Sequence, residues 1–334
     1  MKLHYFPSRR GNFGDDLNLW LWDRVLPGWR ESAPERTLFG VGTILSNAEL
    51  RGHPGAVVMG SGTGYGHAPE PEVVAACEFR AVRGPMTAAK LGLDPSIPQF
   101  DGAMVIPALF PEIAGLEPAG GRPVFIPHHT TAALSLRWED LCDGAGVDYL
   151  SPEGEAKSVI ARIANSSLVL TESMHGAILA DAYRVPWVPL MVSDQFNLFK
   201  WRDWAGGLEM TVAPMDMLRE MRSLRGIVQR LRALKPAPRP ASKPAAAGTG
   251  LPAGPGGQAP GPGYGQGSSG SEREKLKRLA ERLSPVLELT LRHRLRQARR
   301  HKPQLSADSR LSLQHARFLA AAEALHEDLA RPAP

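Results

Sequence analysis

The sequence predicts an α/β protein of two Rossmann-like lobes, followed by a linker and a helical tail. Three observations carry that expectation. Short β-rich runs alternate with helical patterns, as in parallel sheets covered by helices; the alternation stops at Pro111 to Arg122 and then starts again; and after residue 235 the composition collapses to Pro, Ala, Gly and Ser. The expected divisions are a first lobe at 1–113, a second with a trailing helix at 114–235, a linker at 236–270 and a basic helical tail at 271–334.

In the first lobe the strand candidates are Lys2 to Phe6, Thr37 to Gly42, Ala56 to Met59, Phe79 to Arg83 and Ala103 to Pro107, with helices at Asp15 to Val25 and Met86 to Leu91. The second lobe offers strands at Pro123 to Pro127, Val147 to Leu150, Leu168 to Glu172 and Trp187 to Met191. Its helices are expected at Trp138 to Asp143, Lys157 to Ala164 and Ala177 to Tyr183. Ligands of such folds bind at the carboxyl ends of the strands, here in a cleft between the lobes. The linker has too few bulky apolar groups to offset its ordering entropy and is expected to be disordered. The tail carries apolar stripes at helical spacing, Leu276, Leu279, Leu283, Leu287, Leu291 and Leu295, then Leu311, Phe318, Leu319, Leu325 and Leu329. Stripes of this kind bury against another helix, within the chain or in a second copy.

Charge and cysteine content narrow the class. The net charge is +5, yet the segment from Ser271 to His301 alone holds ten Lys or Arg against four Glu, so the rest of the chain is close to neutral. No nucleic-acid partner is expected; the basic face leaves peripheral membrane contact or self-association open. Cys77 and Cys142 lack the number for a disulfide framework and the spacing for metal ligands, which fits a reducing cytoplasm. The amino-terminal residues lack the apolar core and cleavage site of a signal peptide. A cytoplasmic location is expected, close to the inner membrane, where lipid-linked intermediates reside.

Five motifs can carry chemistry. Glu172-Ser173-Met174-His175-Gly176 joins an apolar strand to a helix, placing a histidine at a helix N-terminus, where unpaired N–H groups and the helix dipole favour anions. Gly11-Asn12-Phe13-Gly14-Asp15-Asp16 follows the first strand; its glycines permit a tight turn that exposes backbone N–H groups, while Asp15 or Asp16 can cap the helix instead. Gly60 to Gly66 fails the dinucleotide pattern in both registers, because Tyr65 or His67 stands where the third glycine belongs, and reads as a loop lining the cleft, with Gly62 near the ligand. Arg80 and Arg83 are three apart on a strand, so only one aims into the cleft; Arg83, nearer the carboxyl end, can grip a carboxylate or phosphate through two parallel bonds. His128 and His129 end a strand without acidic or Cys partners, so no metal is expected and His128 is read as an anion donor. Beyond these, Lys200 and Arg202 sit in an aromatic run in which at least one of Trp201 and Trp204 is expected in the core.

Taken together, GNFGDDLN, FRAVRGPMTAAKLGL, FDGAMVIP and ESMHGAILADAYRVPWVPL resemble, in content and order, the polysaccharide pyruvyltransferase family, particularly its exopolysaccharide branch. The similarity covers roughly residues 1–215 and leaves out the linker and tail. It implies a GT-B-like pair of lobes, phosphoenolpyruvate as donor, no further cofactor, and a saccharide or lipid-linked oligosaccharide as acceptor. It also implies formation of a pyruvate ketal on a bacterial surface polysaccharide. His175 would be the acid/base and Arg83 the anion clamp, with Glu172 orienting His175 or serving as base. Substrate contacts would come from Gly11, Asn12, Gly14, Asp15, Asp16, Gly62, Arg80, His128, Ser173, Gly176, Lys200 and Arg202. Many members have Arg-Leu-His where this chain has Ser173-Met174-His175, so the missing positive charge must come from Lys200, Arg202 or Arg80. A glycosyltransferase or another sugar-modifying transferase on the same frame remains the alternative, followed by a non-catalytic component of a polysaccharide assembly complex.

Overall fold

Short aliphatic runs pair side by side in two parallel sheets. The computed structural model describes residues 1–134, 136–218 and 285–331; the linker expected at 236–270 and the stripe leucines Leu276, Leu279 and Leu283 lie outside the described residues. One unit comprises Met1–Leu218 with Leu289–Pro334, and a second comprises Arg219–Glu288. Of the second, only residues 285–288 are described, and they are helical.

The first sheet runs β1 (Lys2–His4), β2 (Thr37–Phe39), β3 (Val57–Met59), β4 (Glu78–Ala81), in that spatial order and all parallel. Alternation along the strands sends Leu38, Val57, Met59 and Ala81 to one face, where they join α1 (Phe13–Asp16) and α2 (Asn18–Val25) in the main core. Phe39, Val58 and Val82 face the other way, against α3 (Asn47–Arg51), α4 (Pro71–Ala75) and α5 (Pro85–Lys90). The strand expected at Ala103 to Pro107 is instead a 3-10 turn, Gly102–Val105, running into α6 (Ile106–Leu109). The Asp101 side chain accepts from Ala103 N at 3.0 Å and starts the turn, while Pro107 has no N–H for a ladder. A short, wholly apolar run fits a buried helix as well as a strand.

The second sheet contains β5 (Val124–Ile126), β6 (Asp148–Tyr149), β7 (Val169–Thr171), β8 (Trp187–Met191) and β9 (Met215–Asp216), all parallel and ordered β6-β5-β7-β8-β9. The order in which strands are added therefore reverses between β5 and β7, and at such a switch point the connections leave the carboxyl ends of the two strands on opposite sides of a ligand crevice. The helices beside it are α7 (His129–Ala132), α8 (Trp138–Asp143), α9 (Ala156–Ala164), α10 (Met174–Ala182) and α11 (Leu198–Gly207). All nine residues of α10 are buried, because it packs on its own sheet and on the 3-10 turn of the first lobe. One core cluster consequently runs through both lobes.

The end of the chain is built into this core. Residues 285–298 are helical, and Leu291, Leu295 and Ala298 are buried. Gln304 then exchanges backbone bonds with Trp187 at 2.7 and 3.1 Å. Ser306 N donates to Asp181 Oδ1 at 2.8 Å, and Trp187 Nε1 donates to the same oxygen at 3.0 Å, so the tail satisfies a carboxylate buried in α10. The last helix, α12 (Asp308–Ala330), crosses to the first lobe. There Phe318 packs on Phe100 at 5.5 Å, and Phe318, Ala322 and Leu325 are buried. No helix among the described residues is long and apolar enough to cross a membrane.

Phe318→Ala should cost about 3–5 kcal/mol of unfolding free energy in urea titration. Leu313→Ala on the exposed side of α12 should stay within about 0.5 kcal/mol. Equal, small effects would show that the tail is not part of the core.

Candidate functional site

A cavity of about 420 Å³ opens at the carboxyl ends of both sheets. The first lobe supplies Phe6, Asn12, Asp15, Thr43, Ile44, Glu49 and Tyr65. The second supplies His128, His129, Thr130, Ser173, Met174, His175, Gln195 and Lys200. The second-lobe residues follow β5, β7 and β8, which places them at the switch point.

His175 is the second residue of α10, since the helix begins at Met174, three residues earlier than expected. Its ring is 8% exposed and lies against the backbone of Gly14, where an added Cβ would fall 2.1 Å from Nδ1. No larger residue fits at Gly14 without displacing the imidazole. Nε2 is buried and has no hydrogen-bond partner. Burial, with the charges of Lys200 and Arg83, lowers the His175 pKa to about 3, so the ring is neutral at physiological pH. Ser173 is the N-cap of α10 but makes no capping bond with its side chain, which faces the cavity. Gly176 is packed against Thr171 Oγ1 behind it.

The GNFGDD turn places a second titratable group in the same cavity. Gly11 adopts φ +83°, and Asn12 N, at the N-cap of α1, donates to Asp16 Oδ2 at 2.9 Å, so Asp16 is turned back onto the start of its own helix. Asp15 is left to face the cavity, hydrogen-bonded by the Asn12 amide. Burial raises its pKa to about 7, against the lowering effects of Lys200 and Asn12 and with further upward pressure from Asp16 and Asp101. The turn is fixed from beneath by Asn18, wholly buried. Asn18 donates to the carbonyls of Asp15 and Val41 at 2.9 and 3.0 Å and accepts from Trp22 Nε1 at 3.0 Å.

Among the described residues, Lys200 is the one Lys or Arg lining the cavity. Its Nζ donates to Tyr65 Oη at 2.8 Å and stands 4.8 Å from the centre of the Tyr65 ring. Asn197 Nδ2 also donates to Gly64 O at 2.9 Å, so the glycine loop rests on the start of α11. His128 caps α7, its Nδ1 contacting Thr130 Oγ1 at 2.8 Å, and its ring meets His129 at 4.4 Å.

Four residues are placed differently from the sequence reading: Arg83, Arg80, Arg202 and Glu172. Arg83 is fully buried and does not line the cavity. Strand β4 ends at Ala81, and beyond it the guanidinium is taken up by Asp203 of α11 at 3.0 and 3.1 Å, by Thr43 Oγ1 at 2.7 Å and by Thr63 O at 2.7 Å. Gly62 makes room for it, since a Cβ there would lie 2.3 Å from Arg83 Cζ. Arg83 thus stands one layer behind the cavity wall, through Thr43, and acts on His175 by its charge alone. Arg80 pairs with Glu78 and with Asp328 of α12, and exposed Arg202 points away from the lining. Glu172 makes no bond to His175; Oε1 accepts from Ser193 N and Oγ, both at 2.7 Å, and Oε2 from His128 N at 3.1 Å. Burial raises its pKa, against those hydrogen bonds. Its place is to tie the ends of β5, β7 and β8 together.

The sequence reading gave no role to Asp203 or Phe6, included Asn18 in the GNFGDDLN motif without assigning it one, and treated Tyr65 only as an interruption of a glycine pattern. Arg83→Met should destabilise the protein by about 3–5 kcal/mol, because Asp203 is left buried without its partner. Arg83→Met/Asp203→Leu should recover part of that loss in the same denaturation experiment. A double variant as unstable as the sum of the single ones would show that the two groups are not coupled.

A sequence model of the polysaccharide pyruvyl transferase family matches residues 71–194, which run from α4 through β8 and include His175. The succinoglycan biosynthesis protein ExoV of Rhizobium meliloti (strain 1021) is 49% identical over 214 residues, covering 64% of this chain and 67% of the relative. No solved structure matches the chain. Matched at that identity over two thirds of the relative's length, the chain belongs to the polysaccharide pyruvyl transferase family.

Proposed function

We propose that this protein transfers the pyruvyl group of phosphoenolpyruvate to two hydroxyls of one sugar in a bacterial surface polysaccharide or its lipid-linked precursor, forming a ketal and releasing phosphate. The observation that carries the reading is the pairing, in one cavity, of a neutral imidazole with a carboxyl group whose pKa is raised to about 7, beside the Lys200 ammonium. The two parallel-sheet lobes meeting at that cavity support a GT-B-like description, and the relative's part in succinoglycan biosynthesis supports an exopolysaccharide acceptor. The donor is a cytoplasmic metabolite, which puts the reaction on the cytoplasmic side of the membrane.

Phosphoenolpyruvate brings a phosphate and a carboxylate. Lys200 and the N-terminal N–H groups of α10 form the receptor for that charge, and Lys200 takes the place of the arginine that many members carry two residues before the histidine. Asp15, holding its proton, donates it to the methylene carbon, and positive charge develops at C2. His175 takes the proton of the first sugar hydroxyl as its oxygen bonds to C2. The imidazolium then returns that proton to the phosphate as the C2–O bond breaks. The second hydroxyl attacks C2 and gives its proton to the Asp15 carboxylate, so both groups end the cycle as they began it.

Environments that push two pKa values apart mark opposite roles: neutral His175 is set up as a base and Asp15 as an acid. Phosphate release from phosphoenolpyruvate should depend on acceptor, and mass spectrometry should find pyruvate on the acceptor. His175→Ala should lower kcat by ~10²–10⁴. Because the acid must be protonated, kcat/KM should fall about tenfold per pH unit above about pH 7, and Asp15→Asn should abolish turnover. A His175→Ala enzyme near wild-type rate, or a profile flat through pH 9, would contradict the assignment.

A further inference from the structure

Among the described residues, only two aromatic side chains of Phe, Tyr or Trp type are exposed, Phe6 at 61% and Tyr65 at 50%, and both line the candidate active-site cavity. Isolated exposed apolar groups are ordinary on any surface. Two at one mouth, in a chain that keeps its other described rings buried or partly covered, point to a ligand with an apolar face. The donor has none: phosphoenolpyruvate is small and heavily charged, and a phenyl ring offers it nothing. A pyranose does, because one or both of its faces present C–H groups that pack on an aromatic ring, leaving the hydroxyls at the edge to hydrogen-bond.

The placement suits that task. Phe6 follows β1 and Tyr65 follows β3, with the loop after β2 between them. Their backbone anchors are thus separated by two inter-strand spacings, about 10 Å. Tyr65 also receives Lys200 Nζ on its hydroxyl, so it stands where the anion-holding part of the cavity meets the open part. Polar groups for sugar hydroxyls line the same cavity. Glu49 accepts from His4 Nε2 at 3.0 Å and remains about half exposed, and Gln195 is exposed on the facing lobe.

We propose that Phe6 and Tyr65 form the acceptor subsite, stacking on a hexopyranose of the polysaccharide, with Glu49 and Gln195 taking its hydroxyls. The proposal rests on the pyruvyl-transfer reading and names the part of the cavity that reading leaves to the acceptor. The probes are methyl glycosides of the common hexoses, observed by saturation-transfer NMR with irradiation of the aromatic protons, and phosphoenolpyruvate alone, observed by calorimetry.

Saturation should pass from wild-type protein to the ring C–H protons of at least one hexoside, whose Kd should rise about 3- to 10-fold in Phe6→Ala. Phosphoenolpyruvate affinity and the melting temperature should be unchanged in that variant, because the ring is exposed and carries no group that binds an anion. Tyr65→Phe should keep hexoside affinity and weaken phosphoenolpyruvate binding, since it retains the ring and loses the contact to Lys200. Failure of wild-type protein to bind phosphoenolpyruvate would overturn the donor reading and leave the sugar contact standing. No hexoside bound by the wild type, or equal hexoside affinity in wild type and Phe6→Ala, would overturn the acceptor subsite.

Discussion

The buried pair of Arg83 and Asp203 is the contact on which the site depends. Arg83 leaves the end of the last first-lobe strand, Asp203 sits on α11 of the second lobe, and neither is exposed. The Asp203 carboxylate also accepts from Thr87 N at 2.8 Å and Thr87 Oγ1 at 2.6 Å, so it caps α5 while it holds the guanidinium. An uncompensated charge here would be expensive, but each group is the other's counter-charge, and Thr43, Thr63 and Thr87 take their further hydrogen bonds. Lys200 lies one helical turn before Asp203, on the same face of α11, so fixing Asp203 against the first lobe also brings the ammonium to the cavity. The guanidinium that sequence spacing suggests as an anion clamp is therefore better understood as the part that places the clamp.

A second consequence is electrical. The positive groups behind and beside His175 add to burial in keeping the imidazole neutral, while Asp15 keeps its proton because burial and two nearby carboxylates outweigh the same lysine. In one cavity a neutral imidazole thus coexists with a carboxyl group that titrates near neutral pH, where a free aspartate would be fully ionised. Under the proposed reaction, a phosphate and a carboxylate bound beside Lys200 would offset the positive field at His175 and make its protonation easier at the step where it must take a proton.

Much of this was legible in the sequence, and the limits have physical causes. The parallel α/β alternation, the restart after residue 111 and the strand-to-helix placement of His175 followed from local pattern, because β and helical periodicities are local properties. The burial of Leu291, Leu295, Phe318 and Leu325 was likewise implied by their spacing, though not the surface they would cover. Ala103 to Pro107 misled because a short apolar run has no period to read, and the Asp101 cap decides it. Arg83 misled for a different reason: its partner lies 120 residues later, and the competition between a protein carboxylate and a ligand for one guanidinium is settled only by tertiary structure. Glu172 belongs with it, its oxygens engaged by turns after β5 and β8 that no motif connects. The exposure of Phe6 and Tyr65 is equally invisible in the sequence, since an aromatic beside a strand is ordinarily core.

The claim that His175 is neutral in the free protein, and that a bound donor's charge would make it basic, is tested most directly by following the imidazole of His175 itself. In ¹⁵N-histidine NMR, with His175→Ala used to assign the signal, the resonance should keep the shifts of a neutral ring across the range where an ordinary histidine titrates, near 6.5, and should move toward the protonated form when phosphoenolpyruvate is added. A His175 signal that titrates near 6.5 in the free protein and is indifferent to phosphoenolpyruvate would contradict the account.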